Sequence, residues 1–232
     1  MKAFRRQRQE MPKHIAISIV KHKLPESKKT PAELFKARLE PIKEIILAQT
    51  RFNVPIISIY LLDSHKKVHE SFYEVIPKVF EELSKNNLIH KNKVKISVLG
   101  KWYDLPGNVV ESIKKTIEST KDYDNFFLNF CILYDGQEEI VDACKIIGKK
   151  IQAQNFNPDA ITKEIIKENT YSSYFIPPEL MIVFDGLKNI NGFLLWDSTA
   201  TKVYFSDKSF ADFSTNDLLK ASAMHHRWKA ED

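Results

Sequence analysis

The stretch 176-IPPELMIVFDGLKNINGFLLWDSTATKVYFSDKSFADF-213 decides the fold. An apolar run at 180–184, a glycine-bearing turn, a second apolar run at 193–196 and an aromatic run at 203–205 follow one another closely. That is the order expected of buried strands bracketing a pocket loop.

Upstream of it the pattern alternates. The short, β-branched run 14–20 reads as a buried first strand. Thr30-Pro31-Ala32-Glu33 combines an N-cap, a first-turn proline and a capping-box glutamate, so a helix is expected there, kinked at Pro41. A second strand is expected over 54–62, a helix over about 70–86, and a third strand over 94–99 that ends at Gly100. Another helix should run to about 120, with a fourth strand at 126–133. Asp135-Gly136-Gln137-Glu138 then caps a helix whose apolar face carries Ile140, Ala143, Cys144, Ile147 and Ile151. A short helical segment near 158–168 leads into 176–213, and Ser214-Thr215-Asn216-Asp217 caps a last helix. Such alternation predicts an α/β fold with a mainly parallel sheet of about six strands, flanked by helices on both faces.

At 232 residues the chain suits one domain, 13–232, preceded by a basic flexible arm over 1–12 that carries Arg5, Arg6 and Arg8. No apolar run approaches the ~20 residues that cross a bilayer, and the charged N-terminus lacks the apolar core of a secretion signal. The cytosol is the expected compartment, with at most peripheral membrane contact through the arm. The net charge of +5 is spread along the chain, which argues for a solvated surface rather than a nucleic-acid groove. Cys131 and Cys144 read as two buried thiols, and the histidine spacing offers no metal site.

The segment 176–213 resembles the C-terminal region of cis-prenyltransferases, the undecaprenyl diphosphate synthase family. Phe193-Leu194-Leu195-Trp196 and Val203-Tyr204-Phe205-Ser206-Asp207 match the packing half of its "SNFLLWQ…FYFTD" pattern. PKHIAISIV at 12–20, VLGKWYDLP at 98–106 and LNFCILYDGQEEIVDACKII at 128–147 resemble further family segments in the right order. The resemblance implies a tunnel-like apolar cleft for a growing isoprenoid chain, a Mg²⁺-assisted site for two diphosphates at the strand ends, and dimeric members. Ionising an allylic diphosphate requires a carboxylate to hold the metal and cationic donors for the leaving group and for the second diphosphate.

This sequence departs from the family at those positions. Val20 stands where the family's metal-binding aspartate is expected, and Lys21 and Lys23 replace the glycines that cradle phosphate. After the second strand, Lys66 and Lys67 replace an asparagine and a tryptophan. Val183 and Asn189 replace two diphosphate arginines, Leu187 an acidic contact and Asn191 a serine. Gln137 replaces another arginine, and the C-terminal "RxG" that completes a partner's site has only Arg227 and Lys229 as possible donors. Val20, Leu62 and Val183 are expected to end neighbouring strands facing one cavity. Lys21, His22, Lys23, Asp63, Lys66, Asp185 and Gly186 would converge there as a candidate ligand pocket.

The resemblance thus points to a catalytically silent accessory subunit of a heteromeric cis-prenyltransferase, similar in that respect to the Nogo-B receptor. Mg²⁺ would enter only through the catalytic partner. The rival reading is a divergent homodimeric enzyme that uses prenyl diphosphates for prenyl transfer or terpene formation. In either case a dimer is expected over 126–151 and 193–213.

Overall fold

The computed structural model describes residues 10–20, 30–64, 69–154 and 156–231. Six strands form one sheet: β1 (His14–Ser18), β2 (Ile56–Asp63), β3 (Val94–Leu99), β4 (Phe126–Tyr134), β5 (Leu180–Val183) and β6 (Lys202–Phe205), in the order β3-β4-β2-β1-β5-β6. Each pairing is parallel, so every connection crosses over the sheet, as strand-helix alternation requires. The helices are α1 (Pro31–Leu39), α2 (Ile42–Phe52), α3 (Glu70–Ser84), α4 (Asn87–Asn92), α5 (Gly107–Thr120), α6 (Gly136–Gln154), α7 (Lys163–Glu168) and α8 (Thr215–Glu231).

Because successive strand residues point to opposite faces, the sheet divides its apolar residues into two clusters. Ile15, Ile17, Ile57, Ile59, Phe130 and Ile182 pack on the first face against α1 to α5 and α8. Burying each such side chain contributes roughly 1.5–3 kcal/mol. Ala16, Val20, Tyr60, Cys131, Tyr134 and Val183 pack on the second face, together with Phe175, Phe193 and Leu194. That face also buries the polar residues His14, Ser18, Ser58 and Asn129.

The Thr30 capping box closes as expected, and at α8 the Asp217 carboxylate accepts from both Ser214 N and Oγ at 2.8 Å. Four expectations change. Pro41 divides the first helix into α1 and α2 rather than kinking it, because proline has no N–H to continue the ladder. The run 193–196 is a series of turns and not a strand, with Asn191, Gly192 and Leu194 all at positive φ (51°, 68° and 46°). Cys144 is exposed: the buried positions of α6 recur at Glu139, Ala143 and Ile147, and Cys144 lies one step round the helix from them. Asn86 caps the short α4 by accepting from Leu88 N at 2.8 Å, an element the sequence reading passed over. Residues 1–9 of the basic arm lie outside the described residues, whereas Met11 packs against the first cluster and Pro12 is buried.

Candidate functional site

In a parallel α/β sheet the crevice beyond the carboxyl ends of the strands is where ligands bind. Here β2, β1 and β5 are neighbours, so the ends marked by Leu62, Val20 and Val183 do lie side by side. They do not face one cavity. Val20 and Val183 pack into the second cluster, while Leu62 packs against the first. The register between β2 and β4 shifts on both sides of Leu62, which turns it to the other face.

Val20 is only 4% exposed and shares its cluster with Tyr60, Tyr134 and Phe193. Those three rings fill the space between the ends of β2 and β4 and the 190s turn. Tyr60 stacks on Phe193 with centroids 4.9 Å apart, and Tyr134 meets Tyr60 edge-on at 5.6 Å. The Tyr60 hydroxyl donates to the Tyr134 carbonyl at 3.1 Å. Burial, reinforced by Asp63, Cys131 and Asp135, pushes the Tyr60 phenol well above its ordinary range, so it stays neutral.

The start of α6 is closed by its own residues. The Asp135 carboxylate accepts from Gln137 N at 2.6 Å and Glu138 N at 3.0 Å, using N–H groups that a helix start could otherwise offer to a phosphate. Over it lies the 190s turn: a Cβ on Gly136 would sit 2.2 Å from the Gly192 carbonyl oxygen and 2.6 Å from Leu195 Cβ. Only glycine permits that approach. Beside β3, Lys101 pairs with Glu138 at 2.5 Å and lies 3.7 Å from Asp142, which also accepts from the Tyr171 hydroxyl. The bond to Glu138 holds the Lys101 ammonium above its ordinary value.

Of the predicted pocket, Asp63 ends β2 at 7% exposed, and Asp185 and Gly186 form a left-handed turn directly after β5 (φ 64° and 71°). Asp63 and Asp185 therefore flank β1 from opposite sides. Asp185 Oδ1 accepts from the Ser209 hydroxyl at 3.2 Å. Lys21, His22, Lys23 and Lys66 lie outside the described residues. Arg227 is exposed on α8, which stays helical to Glu231, and Trp228 beside it packs against this chain's own first cluster. Lys229 belongs to the same helical turn. Among the described residues Arg51 lies on α2 and Arg227 on α8. The described carboxylates at the strand ends include Asp63, Asp135, Asp185 and, after β6, Asp207, which pairs with Lys188 at 2.7 Å. A cavity of about 190 Å³ lies elsewhere, between α1, α2 and α3, lined by Leu39, Ile42, Val75, Val79 and Leu83.

Sequence reasoning missed a buried polar network on the second face. Glu139, fully buried on α6, accepts from the Tyr134 hydroxyl at 2.5 Å and from Ser172 N at 3.1 Å. Ser172 Oγ donates to Asp197 at 2.7 Å, and Lys167 pairs with Asp197 at 2.5 Å. The signal was present in the spacing, since Glu139 precedes Ala143 and Ile147 at helical intervals on the inward face.

A family model described as "Putative undecaprenyl diphosphate synthase" matches residues 25–230. The chain belongs to this prenyltransferase family. The tritrans,polycis-undecaprenyl-diphosphate synthase (geranylgeranyl-diphosphate specific) of Methanocaldococcus jannaschii is 30% identical over 94% of this chain and 81% of its own length. Two solved structures share the fold. The lavandulyl diphosphate synthase of Lavandula x intermedia, in complex with dimethylallyl diphosphate, superposes with a TM-score of 0.84 over 93% of this chain and 95% of its own, at 22% identity. A probable undecaprenyl diphosphate synthase from Campylobacter jejuni gives 0.73 over the same shares, at 19% identity. Within this member of the family, Val20 and Lys21 to Lys23 lie upstream of the matched residues.

Proposed function

We propose that this member of the undecaprenyl diphosphate synthase family is a catalytically silent subunit that supports an active cis-prenyltransferase in polyprenyl diphosphate synthesis. The observation that carries the reading is the burial of Val20 among Tyr60, Tyr134, Val183 and Phe193 at the end of β1. A valine offers no oxygen to a hard cation, and the described residues of its cluster are mainly apolar and aromatic. Among the described residues no group of three or more His, Cys, Asp or Glu could hold a metal ion, which, with valine at position 20, supports a subunit that relies on its partner for Mg²⁺. The Asp135 carboxylate already occupies the first N–H groups of α6, which supports a helix start that does not receive a phosphate.

For the assembly, the reading is a dimer over 126–151 and 193–213, with a catalytic paralogue as partner. Val141 (44%) and Ile146 (42%) on α6 and Phe205 (38%) on β6 are exposed apolar side chains within those segments, which supports an interface there. No described helix is long and apolar enough to cross a membrane. A cytosolic subunit with at most peripheral membrane contact is the corresponding expectation.

The second reading, a divergent enzyme using prenyl diphosphates, is favoured by the 30% identity to a named synthase over nearly the whole chain. Lys21, His22, Lys23 and Lys66 are then its candidate anion contacts. Purified chain incubated with isopentenyl diphosphate, geranylgeranyl diphosphate and Mg²⁺ separates the two. No condensation alone, with co-purification and a changed elongation rate when an intact paralogue is co-expressed, is the expected outcome. In that complex, Arg227→Ala lowers the rate if the end of α8 reaches the partner's site. Saturable turnover by this chain alone selects the second reading.

A further inference from the structure

Residues 169–178 cross the second face of the sheet as a run of turns, and their own backbone bonds are local: Ser173 N to Thr170 O at 3.2 Å, and Phe175 N to Ser172 O at 2.9 Å. Side chains tether this segment to the body. Glu139 accepts from Ser172 N, Lys167 donates to the Ser172 carbonyl at 2.8 Å, and His14 donates from Nδ1 to the Ile176 carbonyl at 2.5 Å. The segment covers the cluster with Phe175, which meets Phe127 edge-on at 5.8 Å, and displays Tyr174 at 95% exposed.

The state of His14 follows from its partners. A carbonyl can only accept, so Nδ1 carries the hydrogen and Nε2 accepts from the Ser58 hydroxyl at 2.9 Å, which in turn accepts from Asn129 Nδ2 at 3.1 Å. The neutral ring is fully satisfied at 1% exposed. A second proton, on Nε2, would point a donor at a hydroxyl that already donates to that nitrogen, and would place a charge in a dry site. Burial accordingly lowers His14 from 6.5 to about 4, outweighing the Ile176 carbonyl, Asp197 and Glu179, which favour the charged form; Lys167 opposes it. Glu139 faces the same segment from α6, and its own burial raises it, so its titration acts in the opposite direction.

We propose that residues 170–176 are a proton-sensitive strap, which lifts from the second face when His14 takes a proton at Nε2 and thereby changes the surface that Tyr174 and Ile176 present. Lifting the strap is the least costly way to hydrate the imidazolium. β1 is paired on both edges by β2 and β5, whereas the strap is held by turns and side-chain tethers.

Hydrogen exchange of the full chain at pH 7 and pH 5, corrected for intrinsic rates, tests this. In a Glu139→Gln variant, which removes the opposing carboxyl, the amides of 172–176 should exchange roughly 20-fold faster at pH 5, the ratio set by a ring returning from about 4 to 6.5 on opening. Amides of β2 and β4 should lag, and His14→Gln should abolish the acid response. No acceleration, equal acceleration in strap and sheet, or a response that survives His14→Gln overturns the proposal. If His14→Gln does not fold, the comparison of strap with sheet in the other chains still decides.

Discussion

A valine and an aspartate ask opposite things of the end of β1. Aspartate there needs a metal or a hydrogen-bonding shell, whereas Val20 needs the apolar neighbours it has in Tyr60, Tyr134 and Phe193. Val20→Asp should therefore cost about 3–5 kcal/mol, the range for an uncompensated buried charge, read as a lowered denaturant midpoint at unchanged slope. A variant as stable as the parent would mean the site is wetter than its packing. His14 makes the matching prediction for pH. Its folded value is depressed from 6.5 to about 4, so its contribution is full above pH 6.5 and is lost as the pH falls toward 4. At roughly 1.4 kcal/mol per unit this is about 3 kcal/mol, and urea melts of wild type and His14→Gln between pH 7 and pH 4 should converge in their difference by that amount. At this scale the residue types at positions 20, 183 and 137 were legible in the sequence, because valine and glutamine offer no carboxylate to a metal and no guanidinium to a phosphate. The ring packing that seals Val20 was not, since Tyr60, Tyr134 and Phe193 meet only through the fold.

Between elements, the contact that closes the site is Gly136 against Gly192, where the 190s turn rests on the first turn of α6. Gly136→Ala forces a methyl into a backbone carbonyl and should destabilise by about 1–3 kcal/mol, with the largest loss of hydrogen-exchange protection at 190–196. An unperturbed turn would show that the approach is slack. The capping box at Thr30, the Ser214–Asp217 cap of the last helix and the fourth strand were legible because local hydrogen bonding and apolar runs set them. Three features were not. The apolar 193–196 run carries no mark of the positive-φ backbone that makes it a turn. The rotation of Leu62 comes from a register shift that only the paired β4 defines. Cys144 lies at the margin of an apolar stripe, where one residue is a 100° step round the helix.

For the whole molecule, the fold of a prenyltransferase is kept around a strand-end face whose described residues include the rings of Tyr60, Tyr134 and Phe193, the carboxylates of Asp63, Asp135 and Asp185, and the ammonium of Lys101. The parallel sheet and its two clusters follow from alternating apolar strands and amphipathic helices, which is why the fold class was readable, whereas the strand order was not. Silence and partnership are properties of charge placement and surface, and they belong to assays. The most direct is incorporation of labelled isopentenyl diphosphate onto geranylgeranyl diphosphate with Mg²⁺, by the purified chain alone and then with an intact paralogue added. A silent subunit gives background incorporation alone and an altered rate in the mixture; saturable, Mg²⁺-dependent elongation by this chain alone contradicts the account.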